Sequence, residues 1–163
     1  MITVKRTKEA DIQTLSDIQR AAFMPLYERF RDQGNPALRG KEDIERRLGT
    51  DVFACFTIFS QDEIVGGLWY KLKGQTPSGE TLGDGKCYLQ RVFIRPDMQS
   101  RGIARQAILL SEKEIADAKE FCVDFPETLS KNRRCYENAG YRDSGKSLRC
   151  ADGLVLSLYE KRV

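Results

Sequence analysis

The fold of this chain is decided by a short stretch that reads Gln99-Ser100-Arg101-Gly102-Ile103-Ala104-Arg105. It follows an apolar run, residues 87–94, that predicts a strand, and it opens a run of apolar residues at helical spacing. The first N–H groups of a helix lack internal partners and the helix dipole is positive there, so such a turn binds anions. Because Gly102 and Ala104 keep the turn bare, we expect it to bind a phosphorylated ligand.

An ordinary basic connection between a strand and a helix is the alternative for this turn. Neither of the two common glycine-rich nucleotide motifs, G-x-x-x-x-G-K-[ST] and G-x-G-x-x-G, occurs in the chain. A second element downstream, residues 132–141, favours the phosphate-binding interpretation when it is considered together with the turn.

The composition is that of an ordinary globular protein. The chain has 163 residues, of which 40% are hydrophobic and 31% charged, so we expect a single domain over residues 1–163. The net charge of +3 is too small to indicate a nucleic-acid partner. No run of about 18 apolar residues predicts a membrane span. The first residues look like a strand rather than a signal peptide, so we expect a cytoplasmic protein.

The chain contains no histidine and five cysteines. The absence of histidine excludes Ser-His-Asp and Cys-His catalysis and histidine-ligated metals. The cysteine count is odd and no Cys-x-x-Cys pair occurs, so we interpret the cysteines as reduced, mostly buried residues and expect no metal site. Acid–base chemistry must therefore use tyrosine, carboxylate, lysine, cysteine or water.

The hydrophobic pattern predicts strands that alternate with helices in the centre of the chain. The predicted strands cover residues 2–6, 52–59, 64–72, 86–95, 121–125, a segment from 141 onward, and 154–159. The predicted helices begin near residue 11 and cover 43–48, 101–118 and 130–138. Residues 73–85, rich in Gly, Thr, Ser and Pro, are interpreted as a loop that faces the substrate or as a plain mobile connection. Strand–helix–strand units indicate parallel pairing in the centre, with antiparallel hairpins at the edges.

Three elements of this sequence resemble the GCN5-related N-acetyltransferase (GNAT) superfamily. The stretch from Gln99 to Ala104 looks like the family's Q/R-x-x-G-x-G/A acyl-CoA loop. Residues 91–96, Arg-Val-Phe-Ile-Arg-Pro, look like the strand that precedes that loop. Residues 135–141, Cys-Tyr-Glu-Asn-Ala-Gly-Tyr, look like the F-Y-x-x-x-G-F element. The order of the predicted strands and helices is the family order, so the resemblance covers essentially the whole chain.

The resemblance implies a fold and an activity. The implied fold is α/β (α+β): a mixed, mostly antiparallel sheet of about seven strands with a splayed parallel central pair, flanked by about four helices. The implied activity is transfer of an acetyl group from acetyl-CoA, the cosubstrate, to a primary amine of a small molecule, protein or peptide. The alternative is a GNAT-fold module that binds CoA as a sensor without turnover. A homodimer is a further expectation from the resemblance.

The resemblance also assigns roles to individual residues. Backbone groups of Val92, Phe93 and Ile94 are expected to pair with the pantetheine arm. The diphosphate is expected on the turn and the helix start. The full set of expected cofactor-binding residues is Val92, Phe93, Ile94, Gln99, Ser100, Arg101, Gly102, Ile103, Ala104, Arg105, Asn132 and Arg134.

Tyr136 is the expected catalytic residue, because the matching tyrosine of the family donates a proton to the departing CoA thiolate. A phenol and a thiol have similar ordinary pKa values, so the transfer is chemically reasonable. The alternative is a packing role for Tyr136. The sequence departs from the family on the central strand, where Tyr88, Leu89 and Gln90 stand in the place of a common glutamate.

The general base and the acceptor are left open by the sequence. Asp124 lies in an apolar strand and is either a base, an amine-binding group or a structural carboxylate, and Glu127 follows it. Acetylation of aminoacyl-tRNA is a third functional reading, which the low net charge disfavours. The segment from residue 23 to residue 48 is expected to shape the acceptor pocket. Its candidate wall residues, together with those of the hairpin, are Phe23, Met24, Tyr27, Phe30, Trp69 and Tyr70.

Overall fold

A computed structural model describes all 163 residues. It contains four α-helices and nine strands, in the order β1 (Ile2–Arg6), α1 (Ile12–Phe30), α2 (Lys41–Leu48), β2 (Phe53–Ser60), β3 (Glu63–Lys71), β4 (Gly74–Gln75), β5 (Thr81–Leu82), β6 (Lys86–Ile94), α3 (Ile103–Glu112), β7 (Glu120–Pro126), α4 (Ser130–Asn138), β8 (Arg142–Arg149) and β9 (Val155–Arg162). No helix is long and apolar enough to cross a membrane.

Seven of the strands form one mixed sheet in the order β1-β2-β3-β6-β7-β9-β8. All neighbours are antiparallel except β6 and β7, which are parallel because α3 connects them across one face. This confirms the fold expected from the sequence, including the parallel central pair and the four helices.

The parallel pair is short, and the two strands then separate. β6 and β7 pair only at Lys86–Glu120, Cys87–Phe121 and Tyr88–Cys122. Just beyond this point Gln90 is an extra residue in β6, because Leu89 lies opposite Tyr70 while Arg91 lies opposite Trp69. A β-bulge bends and twists the strand that carries it. The sheet therefore opens a gap between the later parts of β6 and β7.

The sheet buries a different cluster on each face. On one face, α3 and α4 cover the larger cluster, to which the sheet contributes Tyr70, Leu89 and Phe121 among others. On the other face, α1 and α2 cover a smaller cluster that contains Trp69 and Phe93. Because strand residues alternate between faces, Tyr88 and Asp124 lie on the α1–α2 side, and the flanking residues of their strands lie on the α3–α4 side.

Two predicted elements differ from the observed ones. The helix expected over 101–118 ends at Glu112, where the carboxylate accepts hydrogen bonds from Tyr141 and Lys161 and the chain tightens into three-residue turns. The loop expected over 73–85 contains the ribbon β4–β5. Leu82 of this ribbon is buried against Tyr88, which fixes the ribbon on the α1–α2 side of the sheet.

Candidate active site

The open edge of β6 carries unpaired backbone groups of Val92 and Ile94. The N–H of Arg95 donates to the carbonyl of Val65 in β3, and the carbonyl of Phe93 lies against Gly66 in the same strand. Odd-numbered residues of this part of β6 therefore bond towards β3, and the even-numbered ones face the gap. The structure brings two of the three predicted strand residues to the gap and turns the backbone of Phe93 away, into the sheet.

The predicted phosphate-binding turn follows the end of β6. The side chain of Gln99 donates from Nε2 to the carbonyl oxygen of Ile94 at 3.0 Å, which ties the turn to the strand. Ser100 and Gly102 both have positive φ, 63° and 78°. The first backbone hydrogen bond of α3 runs from Gln106 to Gly102, and the N–H groups of residues 100–105 have no protein acceptor. These N–H groups are therefore available to an anion.

The backbone conformation favours glycine at position 102, and the space beside this residue is open. Its positive φ is one that residues with a Cβ adopt at a cost. A Cβ built at this position meets no protein atom closer than Gln106 Nε2 at 4.0 Å. The space in front of the turn is therefore open to solvent.

The two arginines of the turn behave differently. Arg101 is exposed and makes no ion pair or hydrogen bond within the chain. Arg105 is also exposed, but its Nε donates to the carbonyl of Asn138 at 3.0 Å, at the end of α4. Arg105 therefore joins α3 to α4, and only its remaining N–H groups are available to a ligand.

Tyr136 of α4 is packed among aromatic rings, but its hydroxyl has no partner. Its ring centroid lies 5.1 Å from that of Phe125 and 6.0 Å from that of Tyr141. The hydroxyl makes no hydrogen bond, and it is not among the sealed polar atoms of the chain, so it reaches solvent. Burial raises the pKa of Tyr136 and keeps the phenol protonated. Asn132 lies one turn earlier and is half-buried, and Arg134 is exposed.

A carboxylate lies on the other face of the sheet, beside the same gap. Tyr88 donates a hydrogen bond to Asp124 Oδ1 at 2.9 Å, just past the last residue pair of β6 and β7. Burial raises the pKa of Asp124 to about 6, although the hydrogen bond from Tyr88 opposes the rise. Asp124 Oδ2 has no protein partner and is not sealed from solvent. The surrounding pocket is lined by the β4–β5 ribbon, β8 and β9.

The gap therefore separates a protonated phenol from a carboxylate. Tyr136 projects from the α3–α4 side and Asp124 from the α1–α2 side; the pKa of the phenol is raised by burial first, then by Cys135 and last by Asp124. A ligand extended along the edge of β6 would pass between a proton donor and a proton acceptor. Its phosphates would lie at the start of α3.

The comparisons with known proteins agree with this geometry. The model of the Acetyltransferase (GNAT) family matches residues 14–141. The chain belongs to the GNAT acetyltransferase family. A search of curated protein sequences found no match.

Solved GNAT structures share the fold at low identity. An N-acetyltransferase, PaiA, from Thermoplasma acidophilum in complex with coenzyme A is 16% identical, with a TM-score of 0.73 over 100% of this chain and 99% of that one. The Escherichia coli ribosomal-protein-S18-alanine N-acetyltransferase is 13% identical, with a TM-score of 0.73 over 100% and 94%. AAC(6')-Ib in complex with ribostamycin and coenzyme A is 14% identical, with a TM-score of 0.75 over 99% and 93%.

The sequence did not single out two features of this GNAT site. Tyr88 was noted only as one of three residues in the place of a common glutamate, although its hydroxyl holds Asp124. Arg47 and Arg91 both form ion pairs with Asp43, on the face of β6 that α1 and α2 cover. Both features depend on how strands and helices that are distant in the sequence pack together, so no local pattern could have revealed them.

Proposed function

We propose that this chain is an acetyl-CoA-dependent N-acetyltransferase that acts on a primary amine by direct attack in a ternary complex. The observation that carries the proposal is the gap between β6 and β7, which has the phenol of Tyr136 on one side and the carboxylate of Asp124 on the other. Membership of the GNAT family and the coenzyme A complexes of its structural neighbours support the choice of cosubstrate.

Acetyl-CoA is proposed to lie along the open edge of β6. The backbone groups of Val92 and Ile94 would pair with the amides of the pantetheine arm, as a neighbouring strand does. The free N–H groups of residues 100–105 would bind the diphosphate, and Gly102 allows it to approach. Arg101, Asn132 and Arg134 are proposed to contact the rest of the cofactor.

The acceptor amine is proposed to enter from the α1–α2 side. Asp124 accepts a proton from the arriving ammonium, and the neutral nitrogen then attacks the carbonyl carbon of the thioester. The backbone N–H of Ile94 or Val92 donates to the oxygen that becomes negative in the tetrahedral intermediate. The carbon–sulfur bond then breaks and the thiolate takes the proton of Tyr136, while the phenol regains a proton from the attacking nitrogen, which carries one proton too many after the attack. Asp124 releases the proton of the ammonium to solvent.

The shifted pKa of Asp124 suits this task. An ordinary aspartate, with a pKa of about 3.9, is a very weak base towards an alkyl ammonium. Burial brings the pKa of Asp124 to about 6, closer to that of the amine, while leaving the carboxylate ionised at neutral pH. Efficient general bases have pKa values near the working pH.

The acceptor does not follow from the neighbours. Their names specify a ribosomal-protein alanine in one case, and an aminoglycoside is bound in another, at identities of 13% and 14%. Likeness at this level concerns the fold alone. The acceptor is therefore selected by side chains particular to this chain.

The first experiment is a thiol-release assay with acetyl-CoA against amines, amino acids, polyamines, aminoglycosides and short peptides, together with calorimetric titration of acetyl-CoA alone. Binding with release that depends on an acceptor would support the proposal. Binding without release from any acceptor would favour a CoA-binding sensor instead. If acetyl-CoA does not bind at all, the assignment of the turn and of the gap is wrong.

A further inference from the structure

A group of three arginines shares a single carboxylate on the acceptor side of β6. Asp43 of α2 lies 2.8 Å from Arg46, 2.8 Å from Arg47 and 2.8 Å from Arg91. We call these four residues the arginine cluster. Three positive charges and one negative charge leave a net charge of +2. Arg46 is largely exposed, but Arg47 and Arg91 expose only 8% and 11% of their side chains.

Apart from Asp43, the side chains that bond to the two buried arginines are neutral amides, and Arg39 adds a further positive charge near Arg91. Arg47 donates from Nε to the side-chain oxygen of Gln90 at 2.9 Å, and Arg91 donates to that of Gln19 at 3.0 Å. Both guanidinium groups lie over the ring of Trp69, at 5.6 Å and 5.3 Å from its centroid. No second carboxylate compensates the buried charges, and an uncompensated buried charge is costly.

The cluster also has unused hydrogen-bond donors. Arg47 Nη2 and the Nε and Nη2 atoms of Arg91 make no hydrogen bond within the chain, yet none of them is sealed from solvent. Trp69 Nε1, beneath both guanidinium groups, is the one fully buried side-chain polar atom without a partner in the whole chain. A positive charge with free donors and an unpartnered N–H close by is suited to binding an anion.

The position of the cluster connects it to the reaction. Gln90 and Arg91 lie on β6 immediately before Val92, whose backbone faces the gap. Tyr88, which holds Asp124, lies on the same face as Arg91 because the bulge at Gln90 adds one residue between them; the two lie opposite Lys71 and Trp69, so they are about 7 Å apart along the strand. The acceptor side therefore has a negative end at Asp124 and a positive end at the arginine cluster.

We propose that the amine acetylated by this chain also carries a carboxylate, and that Arg47 and Arg91 bind this carboxylate while Asp124 receives the amine. The proposed acceptors are thus short amino acids, which carry both an amine and a carboxylate, rather than polyamines or aminoglycosides. Guanidinium groups bind carboxylates through paired, charge-assisted hydrogen bonds. This inference rests on the proposed function, because it concerns the acceptor of the same reaction.

The first test compares matched acceptors on the unchanged protein. Amino acids, including glutamate and lysine, are assayed beside their carboxamides, with spermidine and an aminoglycoside as amines without a carboxylate. Loss of a charge-assisted pair corresponds to a loss of about tenfold or more, so we expect kcat/KM for the acid to exceed that for its amide by at least this factor. Equal or faster turnover of the amides, or turnover of spermidine or the aminoglycoside alone, would overturn the inference and leave the proposed function in place.

The second test changes the charge of the cluster with little change of shape. Gln90→Glu places a carboxylate where the amide oxygen already accepts from Arg47, so the cluster is neutralised internally. The preference for the acid over its amide should then fall about tenfold or more. Gln61→Glu, the same change on the exposed β2–β3 turn, is the matched control and should keep the preference. Arg47→Lys keeps the positive charge but loses the paired donors of the guanidinium group. Its preference for the acid over the amide should lie between that of Gln90→Glu and that of Gln61→Glu.

A binding measurement separates this inference from the proposed function. Trp69 is the sole tryptophan of the chain and touches both arginines, so its fluorescence reports on the cluster without turnover. We expect a saturable change with the free amino acids, a much weaker one with the carboxamides, and a loss of the change in Gln90→Glu. Such binding without any acetyl transfer would refute the proposed function only. If no carboxylate-bearing probe gives a saturable change, the inference is wrong.

Discussion

Replacing Asp124 by asparagine perturbs the stability of the protein and its activity in opposite directions. Burial raises the pKa of Asp124 from an ordinary 3.8 to about 6. Each unit corresponds to about 1.4 kcal/mol, so an ionised Asp124 costs the folded chain up to about 3 kcal/mol relative to the unfolded chain. Asparagine carries no charge and has nearly the same shape. The variant should therefore be more stable than the parent above pH 6.

The sign of the pH dependence follows from proton binding. Between about pH 4 and pH 6, the folded chain keeps the proton of Asp124 while the unfolded chain has lost it, so this residue makes stability fall as pH rises. Above pH 6 both states are ionised and the cost is constant. In Asp124→Asn this contribution is absent. The difference in unfolding free energy between variant and parent should grow across this window and reach about 1 to 3 kcal/mol at pH 8.

Urea unfolding of both proteins at a series of pH values measures this difference, and other titrating groups cancel in it. Asp62→Asn, the same change on the exposed β2–β3 turn, is the control and should show no such growth. In the thiol-release assay Asp124→Asn should lose the rise of kcat/KM near pH 6 and fall by about 100-fold or more at neutral pH. A variant that is less stable than the parent at pH 8, or one that retains full activity, would refute the reasoning.

Three further substitutions test the rest of the site. Gly102→Glu should weaken acetyl-CoA binding in calorimetry more than tenfold at a folding cost of about 1 to 2 kcal/mol, whereas Gly153→Glu, which has a similar positive φ in open space, should cost as much without affecting binding. Tyr136→Phe should lower turnover by about 100-fold at unchanged acetyl-CoA affinity and stability, because the hydroxyl has no protein partner; unchanged turnover would leave Tyr136 a packing residue. Tyr88→Phe removes the hydrogen bond that lowers the pKa of Asp124, so the rise of kcat/KM should move to higher pH. An unchanged pH profile would show that the titration of Asp124 does not control the rate.

Much of the fold was predictable because its signals are local. The turn at Gly102 shows itself through a glycine, a preceding apolar strand and a following helical repeat, all within about 20 residues. The same is true of α4, whose predicted bounds, 130–138, are those observed. The end of α3 was not predictable, because Glu112 is fixed by Tyr141 and Lys161 from a later part of the chain.

The acceptor side was much less predictable, because its residues come together only through strand pairing and helix packing. Its place in an apolar strand made Asp124 a candidate base, amine-binding group or structural carboxylate. Only the surrounding side chains distinguish these three roles, and the sequence does not show which side chains those are. The partner, Tyr88, lies on another strand, and the register of β6 and β7 decides that they meet. Asp43 and Arg47 look like part of a solvated charged helix in the sequence, yet both are buried against β6.

The bulge at Gln90 connects the two halves of the site. It lies where β6 leaves β7, so it contributes to the gap in which the cofactor is proposed to bind. The side chain of the same residue is held by Arg47 of α2, an element on the acceptor side. A shift of α2 would therefore act on the bulge directly, and an anion bound by Arg47 would compete for, or reinforce, the hydrogen bond that holds it. If the acceptor carries a carboxylate, its binding is then coupled to the shape of the cofactor edge, and acetyl-CoA and acceptor should each change the binding of the other by the same factor.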